Sequence, residues 1–422
     1  MILSNEYAER RARFFEKIET ESLVLLFSGI AKKKSYDEDY PFEVNRNFYY
    51  LTGIDQEDSV LMLVKSGGER REYLFISPYD ETKEKWYGRR LTPQEAYLAS
   101  GVRNVLLNAS LPARLSALLK AEEGIYGSVK HVYLDMEKEQ KIAESTDIDD
   151  EEEALEKAYG VSSFLDAYPI LVKQRLRKSE AEIALLRSAI ATTRLGILSV
   201  MAEARAGIGE YELASTFLKT CNDDDGNQGL AFNTIMASGA NAAILHYPNP
   251  TAKVEKGSLI LMDLGARNHY YCADVSRTIP SSGHFTPEQK MVYEIVLGCN
   301  KAVAGYARPG ITLRELNSFA TEYLASECLA KGLIQKKEDI LRYYFHSVSH
   351  QIGLDCHDPG GNKDLPLEAG NVISDEPGLY IKEKGIGVRI EDDLLITEEG
   401  AEVLTKDIIK EVSDIEQFYK IR

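Results

Sequence analysis

Two aspartates sit inside segments that otherwise read as apolar strands. Ser258-Leu-Ile-Leu-Met-Asp-Leu-Gly-Ala runs into a polar turn and returns as Tyr270-Tyr-Cys-Ala-Asp-Val-Ser-Arg-Thr. The pattern predicts a β-hairpin with Asp263 on one strand and Asp274 on the next. Aspartate is depleted in strand interiors, and a charge there must be paired or metal-bound. Two such carboxylates on adjacent strands are an economical way to hold two cations. Taken alone, the pair also fits a capping aspartate and an ion-paired one.

Further polar residues cluster downstream. In Phe345-His-Ser-Val-Ser-His-Gln-Ile-Gly-Leu-Asp-Cys-His-Asp-Pro-Gly-Gly, His346, His350 and His357 fall close together. Imidazole serves both as metal ligand and as proton shuttle. His346 and His350 have the spacing of a helical zinc motif, but Ser347 stands where that motif needs Glu, and Ser-Val-Ser is poor helix. In Ser374-Asp-Glu-Pro-Gly-Leu-Tyr-Ile, Pro377 biases Glu376 to an extended conformation. In Gly387-Val-Arg-Ile-Glu-Asp-Asp, alternation puts Arg389 and Glu391 on one face. Singly, each of these also fits an ordinary surface strand or core histidine.

The chain has 422 residues, enough for two or three domains. Strand-like runs at 23–27, 60–64, 73–76 and 131–134 alternate with helical patterns at 5–19, 93–100 and 111–120, which suggests a separate α/β domain. Ser179 is an N-cap candidate for a helix over about 180–205. Further helices are expected near 210–221, 286–304 and 312–332. We place the domains at 1–172 and 173–422. The formal charge of −17, from 50 basic and 67 acidic residues, opposes binding to nucleic acid or to anionic lipid. No run approaches a membrane span, and the start does not resemble a signal peptide. Five cysteines without paired spacing argue against a disulfide framework, and the expected location is the cytoplasm. The run Asp223-Asp-Asp-Gly-Asn-Gln lacks the glycine and glutamate of an EF-hand loop.

The ordered set of Asp, Asp, His, Glu and Glu, with the histidine, EPGLYI and RIEDD stretches, resembles the creatinase/aminopeptidase P family of dinuclear metallopeptidases (family M24). In the N-terminal half, Tyr36-Asp-Glu-Asp-Tyr-Pro-Phe, Phe48-Tyr-Tyr-Leu-Thr-Gly and Lys85-Trp-Tyr-Gly-Arg-Arg-Leu are similar to the same family. The resemblance implies an α/β fold with an N-terminal creatinase-like domain and a C-terminal "pita-bread" catalytic domain. It implies that Asp263, Asp274, His350, Glu376 and Glu391 bind two divalent ions sharing a hydroxide. A hard, oxygen-rich set suits Mn²⁺, with Co²⁺ or Zn²⁺ as alternatives. Glu376 would also move protons. His357 and His246 would hydrogen-bond the scissile carbonyl oxygen, and His346 and Arg389 would orient ligands. Trp86 would face a neighbouring subunit's site in a dimer or tetramer, although a core tryptophan is the competing reading.

The implied activity is Xaa-Pro aminopeptidase: removal of the first residue from peptides with proline second. An Xaa-Pro dipeptidase with the same chemistry is the nearest rival. A metal-free binding module is the rival of another class, but its usual sign is loss of ligands, and all five are present. Ser347, Gln351, Pro359 and Asp375 depart from the family pattern and bear on subsite preference, metal affinity and pH optimum.

Overall fold

The computed structural model describes residues 2–120, 128–136, 147–161, 163–222, 227–360 and 362–421. Residues 223–226, the start of the aspartate-rich run discussed above, lie outside them. The chain divides into two compact units, Ile2–Arg175 and Leu176–Arg422.

The first unit is built on a six-stranded sheet. Its strands are β1 (Ser22–Phe27), β2 (Val60–Ser66), β3 (Glu69–Ile76), β4 (Asn104–Leu107), β5 (His131–Leu134) and β6 (Phe164–Asp166), in the order β4-β3-β2-β1-β5-β6. The central pairs β1–β2 and β2–β3 are antiparallel, and the outer pairs are parallel. Leu23, Leu25, Met62, Val64 and Phe75 pack in one buried cluster, so β1 and β2 read as near-continuous apolar runs. Helices α1 (Ser4–Lys17), α2 (Arg46–Thr52), α3 (Glu81–Tyr87), α4 (Pro93–Ser100), α5 (Leu111–Leu119) and α6 (Asp147–Tyr159) follow in chain order, and α7 (Tyr168–Leu176) spans the division. Arg11 of α1 is fully buried. It donates to Leu51 O and Ser100 O at 2.7 and 3.0 Å and pairs with Glu72 at 2.9 Å, tying the ends of α2 and α4 to α1. Sequence patterning missed α2. Its aromatic run has no helical propensity to speak of, but Asn45 caps Asn47 N and Phe48 N, and Gly53 ends it at φ 66°.

The second unit carries α8 (Glu180–Glu203), α9 (Glu210–Cys221), α10 (Pro287–Tyr306), α11 (Leu313–Ala330) and α12 (Val412–Ile421). Its strands are β7 (Asn227–Leu230), β8 (Ile235–Ser238), β9 (Leu259–Leu264), β10 (Ala266–Asn268), β11 (Tyr271–Cys272), β12 (Val275–Pro280), β13 (Val372–Asp375), β14 (Gly378–Ile381), β15 (Ile386–Arg389), β16 (Asp392–Ile396) and β17 (Ala401–Val403). They form the sheets β11-β10-β7, β12-β9-β8, β13-β16-β17 and β14-β15. Ser179 caps α8 as the sequence suggests, in a reciprocal box with Glu182. Among the described residues α8 is the helix long and apolar enough to cross a membrane, and over half of its most apolar stretch is buried in the protein, as for a core helix.

The expected hairpin forms, with β9 and β12 antiparallel and Asp263 opposite Ser276. Asp274 differs from expectation. It lies in a break between β11 and β12, where the chain detours through the β10–β11 turn. Gly265 makes the detour possible: a Cβ there would sit 2.0 Å from Ala273 O. Gly265→Ala is therefore expected to lower the unfolding free energy by about 1–3 kcal/mol, the usual cost of overpacking. Urea titration measures this, and an unchanged midpoint would contradict the close approach.

Candidate metal centre

Asp274, two residues before Ser276, brings a donor atom within 4.8 Å of Asp263, the partner of Ser276, so the ten residues between the two aspartates return the chain to one face. Glu376 follows β13 directly, and Glu391 lies between β15 and β16. The histidine stretch runs alongside β13. Ser374 N donates to His350 O and Glu376 N to Val348 O, both at 2.9 Å. Ser374 Oγ accepts from His350 N at 2.9 Å and lies 3.3 Å from Glu376 Oε1.

Donor atoms of three overlapping groups each come within 4.8 Å of one another: Asp263, Asp274 and Glu391; His350, Glu376 and Glu391; Asp274, His350 and His357. The five expected ligands thus meet in one place, with His357 beside them. His350 Nδ1 is 3.0 Å from Gln351 O. A carbonyl only accepts, so Nδ1 carries hydrogen and Nε2 is turned to Asp274 Oδ2 at 3.4 Å and Glu376 Oε1 at 3.5 Å.

The electrostatics suit cations. Burial, and then the neighbouring carboxylates, push Glu391 well above its ordinary range. Burial also raises Asp263 against the opposing charge of Arg389. Glu376 is pushed up to about 7, chiefly by burial. Burial lowers His350, but its hydrogen bond to Asp274 and the charge of Glu376 outweigh that and carry it up to about 9. Asp263 Oδ1 is buried without a hydrogen-bond partner. Four crowded carboxylates, one imidazole with its outward nitrogen tautomer fixed and an orphaned oxygen fit two hard divalent ions, which would relieve the repulsion. The i, i+4 histidine pair is not helical, and His346 belongs to none of the three donor groups.

Neighbouring side chains hold this set in place. Ser276 Oγ donates to Glu391 Oε2 at 2.9 Å and accepts from Arg389 Nε at 2.7 Å, while Arg389 Nη2 pairs with Asp263 Oδ2 at 2.6 Å. Arg389 Nη1 also donates to Tyr380 OH at 3.1 Å. His346 Nδ1 is 2.9 Å from Ser347 O, so its Nε2 accepts from Tyr380 OH at 2.8 Å. Burial, then the charge of Arg389, holds His346 down at about 4, and it is neutral. Asp274 N is 3.4 Å from the buried Asp393 Oδ2. Behind Glu391, buried Arg277 donates to Glu391 O at 2.6 Å and pairs with Asp392 at 2.8 Å. Lys410 pairs with Asp392 and donates to Asn300 Oδ1 at 2.8 Å. Asn300 Nδ2 in turn lies 3.2 Å from Asp375 Oδ2. Asp375, one of the departures from the family pattern, is thus a buried carboxyl pushed well up by burial and the charge of Asp392. Ser276, Tyr380 and Arg277 escaped the sequence reading. Ser276 lies two residues beyond Asp274 and Tyr380 four beyond Glu376, but neither residue type announces a role without its partner.

The centre opens into a cavity of about 900 Å³. His246, His346, His357, Tyr247, Gln351 and Lys363 are among its walls. The rings of His350 and His357 lie 4.0 Å apart, and burial followed by the charge of His350 lowers His357. The loop bearing His246 is anchored by buried Glu210, whose Oε1 accepts from Ser238 N at 2.7 Å and Asn241 Nδ2 at 3.2 Å. Ser347 accepts from Lys363 Nζ at 3.0 Å, and Gln351 Oε1 is buried without a partner. In the other unit, Trp86 is 80% exposed on α3 and is no core tryptophan.

Two outcomes follow. In metal-free protein two groups hold protons more tightly folded than unfolded, from 4.5 to about 7 at Glu376 and from 6.5 to about 9 at His350, while His346 and His357, lowered from 6.5, act in the opposite sense only around and below that value. Stability must then fall as pH rises from about 7 to about 9. Asp392, held below its ordinary 3.8 against burial by Arg277 and Lys410, is ionised in both states there and adds no slope. The melting temperature of EDTA-treated protein should drop between about pH 7 and pH 9, and saturating Mn²⁺ should abolish the drop; a rise in the metal-free protein would contradict the crowding. Arg277→Met leaves Asp392 with Lys410 as its remaining cation and takes a charged donor from Glu391 O, and should cost about 1.5–3 kcal/mol in urea unfolding, whereas a loss below about 1 kcal/mol would show that the pair is not the anchor.

Comparison with known proteins agrees with this geometry. Residues 184–398 match the model of metallopeptidase family M24, and residues 7–126 match the aminopeptidase P N-terminal domain. The chain is 34% identical to a Haemophilus influenzae Xaa-Pro aminopeptidase over 430 residues, covering 97% of this chain and 96% of that one. A Bacillus anthracis structure assigned as an aminopeptidase P is 41% identical, with a TM-score of 0.96 over 100% of this chain and 99% of that one. Aminopeptidase P from E. coli, solved with the inhibitor Pro-Leu, is 31% identical with a TM-score of 0.90 at the same coverage. With both domain models matched and relatives aligned along nearly its whole length, the chain belongs to metallopeptidase family M24, in its aminopeptidase P branch.

Proposed function

We propose that this protein is an Xaa-Pro aminopeptidase of the cytoplasm, acting on peptides with proline second. The observation that carries the reading is the convergence of four carboxylates and His350 Nε2 at the floor of a cavity walled by three further histidines. The N-terminal domain, matched as that of aminopeptidase P, favours an aminopeptidase over a dipeptidase.

Two divalent ions held by Asp263, Asp274, His350, Glu376 and Glu391, Mn²⁺ by preference and Co²⁺ or Zn²⁺ as substitutes, would acidify water and polarise the scissile carbonyl. The chain's own groups supply the rest. Glu376, with its carboxyl near 7, can take the proton of the attacking water and return one. That return matters because the amide nitrogen of proline carries no hydrogen and must gain one to leave as an amine. His357 and His246 are exposed on the cavity wall and present N–H groups where negative charge builds on the carbonyl oxygen. Neutral His346, fixed through Tyr380 to Arg389, keeps Arg389 directed at Asp263 and so orients a ligand. Trp86, exposed on the N-terminal unit, supplies an aromatic face for a neighbouring subunit's site in a homo-oligomer, dimer or tetramer.

A peptide panel tests the activity. With Mn²⁺ added, Xaa-Pro-Xaa tripeptides should release the first residue, and Xaa-Ala-Xaa analogues should not. Cleavage of Xaa-Pro dipeptides alone would favour the dipeptidase, and an inactive protein that binds no metal would favour a binding module. His357→Ala should lower kcat by about 10²–10³-fold with metal content retained, and an unchanged kcat would remove His357 from the mechanism.

A further inference from the structure

The structure assigns a positioning role to Lys178, which acts through Asp358 on the loop that presents both His350 and His357. This deepens the aminopeptidase reading and rests on it only for its kinetic arm.

Lys178 lies just before α8, 180 residues from Asp358, and the two form an ion pair at 3.3 Å with each side chain 1% exposed. A buried pair of this kind is costly to desolvate and does not by itself stabilise a fold much. What it touches is therefore informative. Asp358 follows His357 directly. Its Oδ1 accepts from Asp355 N at 3.2 Å, and its own N donates to Gln351 O at 2.9 Å. Those two bonds close residues 351–358 into a ring. Gln351 O also accepts from His350 Nδ1 at 3.0 Å. One carbonyl thus serves both as the lock of the loop and as the group that aims the ligand nitrogen. Gly353 lies beneath the Asp358 carboxylate, where a Cβ would come within 2.5 Å of Oδ2. Gly353 O accepts from Cys272 N at 2.9 Å, which ties the same ring to the strand next to Asp274. The carboxylate of Asp358 is thus pressed between a backbone it crowds and a cation that holds it there.

The backbone of Lys178 is fixed separately, through Lys178 N to Gly370 O at 2.8 Å, so loss of the ammonium need not unseat the segment. The ammonium's work is to hold Asp358. Deprived of that cation, the buried carboxylate carries an uncompensated charge and would turn toward water. The ring would open at Asp355 and Gln351, and His350 and His357 would lose their fixed directions together. Neither Lys178 nor Asp358 touches the reacting atoms, so both are positioning residues rather than catalytic ones.

The test uses the full chain as wild type, Lys178→Met, Asp358→Asn and the double variant. Mn²⁺ affinity is read by titration calorimetry on metal-stripped protein, kcat and KM on an Xaa-Pro-Xaa tripeptide, and folding by circular dichroism. Lys178→Met should weaken Mn²⁺ binding and lower kcat, each by about 10–100-fold, the usual effect of removing a group that orients a ligand, while KM changes by less than about threefold. Because Lys178 acts through Asp358, the double variant should be no worse than Asp358→Asn alone. Should Lys178→Met fail to fold, Asp358→Asn keeps an oxygen for Asp355 N, removes the charge, and must show the same two losses. A folded single variant with wild-type Mn²⁺ affinity and kcat would overturn the proposal, as would losses that simply add in the double variant. A purely structural role would lower the melting temperature and leave both readouts of the folded protein intact. If the wild type binds Mn²⁺ yet cleaves no Xaa-Pro peptide, the aminopeptidase reading fails, and the calorimetric arm still decides the role of Lys178.

Discussion

Repulsion among four crowded carboxylates, two buried and two partly buried, organises the catalytic half of this protein. Asp263, Asp274, Glu376 and Glu391 come from four separate stretches of chain and converge where water is scarce. One imidazole and one guanidinium do not neutralise them. A charge cluster of this kind opposes folding unless protons or cations enter it. The surrounding structure reads as a response to that load. Arg389 faces Asp263, Ser276 bridges Arg389 to Glu391, and Arg277 grips the Glu391 carbonyl from behind. The same unfavourable charge suits the site to divalent cations, and burial above all places the carboxyl of Glu376 near neutrality.

The scaffold divides its labour by rigidity. Carboxylates project from strands or strand ends, where main-chain ladders fix their direction. The histidines sit on irregular chain, and three of them are held by buried polar groups of side chain or main chain. Glu210 holds the loop before His246, Ser374 and Gln351 O hold His350, and Tyr380 holds His346. A buried carboxyl or hydroxyl with several partners can fix a loop that lacks regular backbone pairing.

Much of this was legible in the sequence because the ordered set of five candidate ligands matches the family that the chain resembles, although each alone also fits a capping, ion-paired or surface role. Aspartate in an apolar strand and glutamate before Pro-Gly break local rules, and such breaks mark sites. The long helices α8 to α11 were legible from caps and period, with Ser179 a plain case. The rest was hidden for definite reasons. Asp274 fell outside its strand because Gly265 lets the ladder break, which no hydrophobic pattern records. Helix α2 was hidden because its aromatic run resembles a strand, and tertiary burial with the Asn45 cap decides the outcome. Ser276, Tyr380, Lys178 and Asp358 were silent because their meaning lies in partners far away in sequence. Trp86 gave no sign of its exposure, which depends on packing alone.

The most direct test is crystallographic. Crystals grown with Mn²⁺ and measured at wavelengths bracketing the manganese absorption edge should show two anomalous peaks about 3.5–4 Å apart, enclosed by Asp263, Asp274, His350, Glu376 and Glu391. A map with no peak among these five side chains, or with manganese bound only elsewhere, would contradict the account.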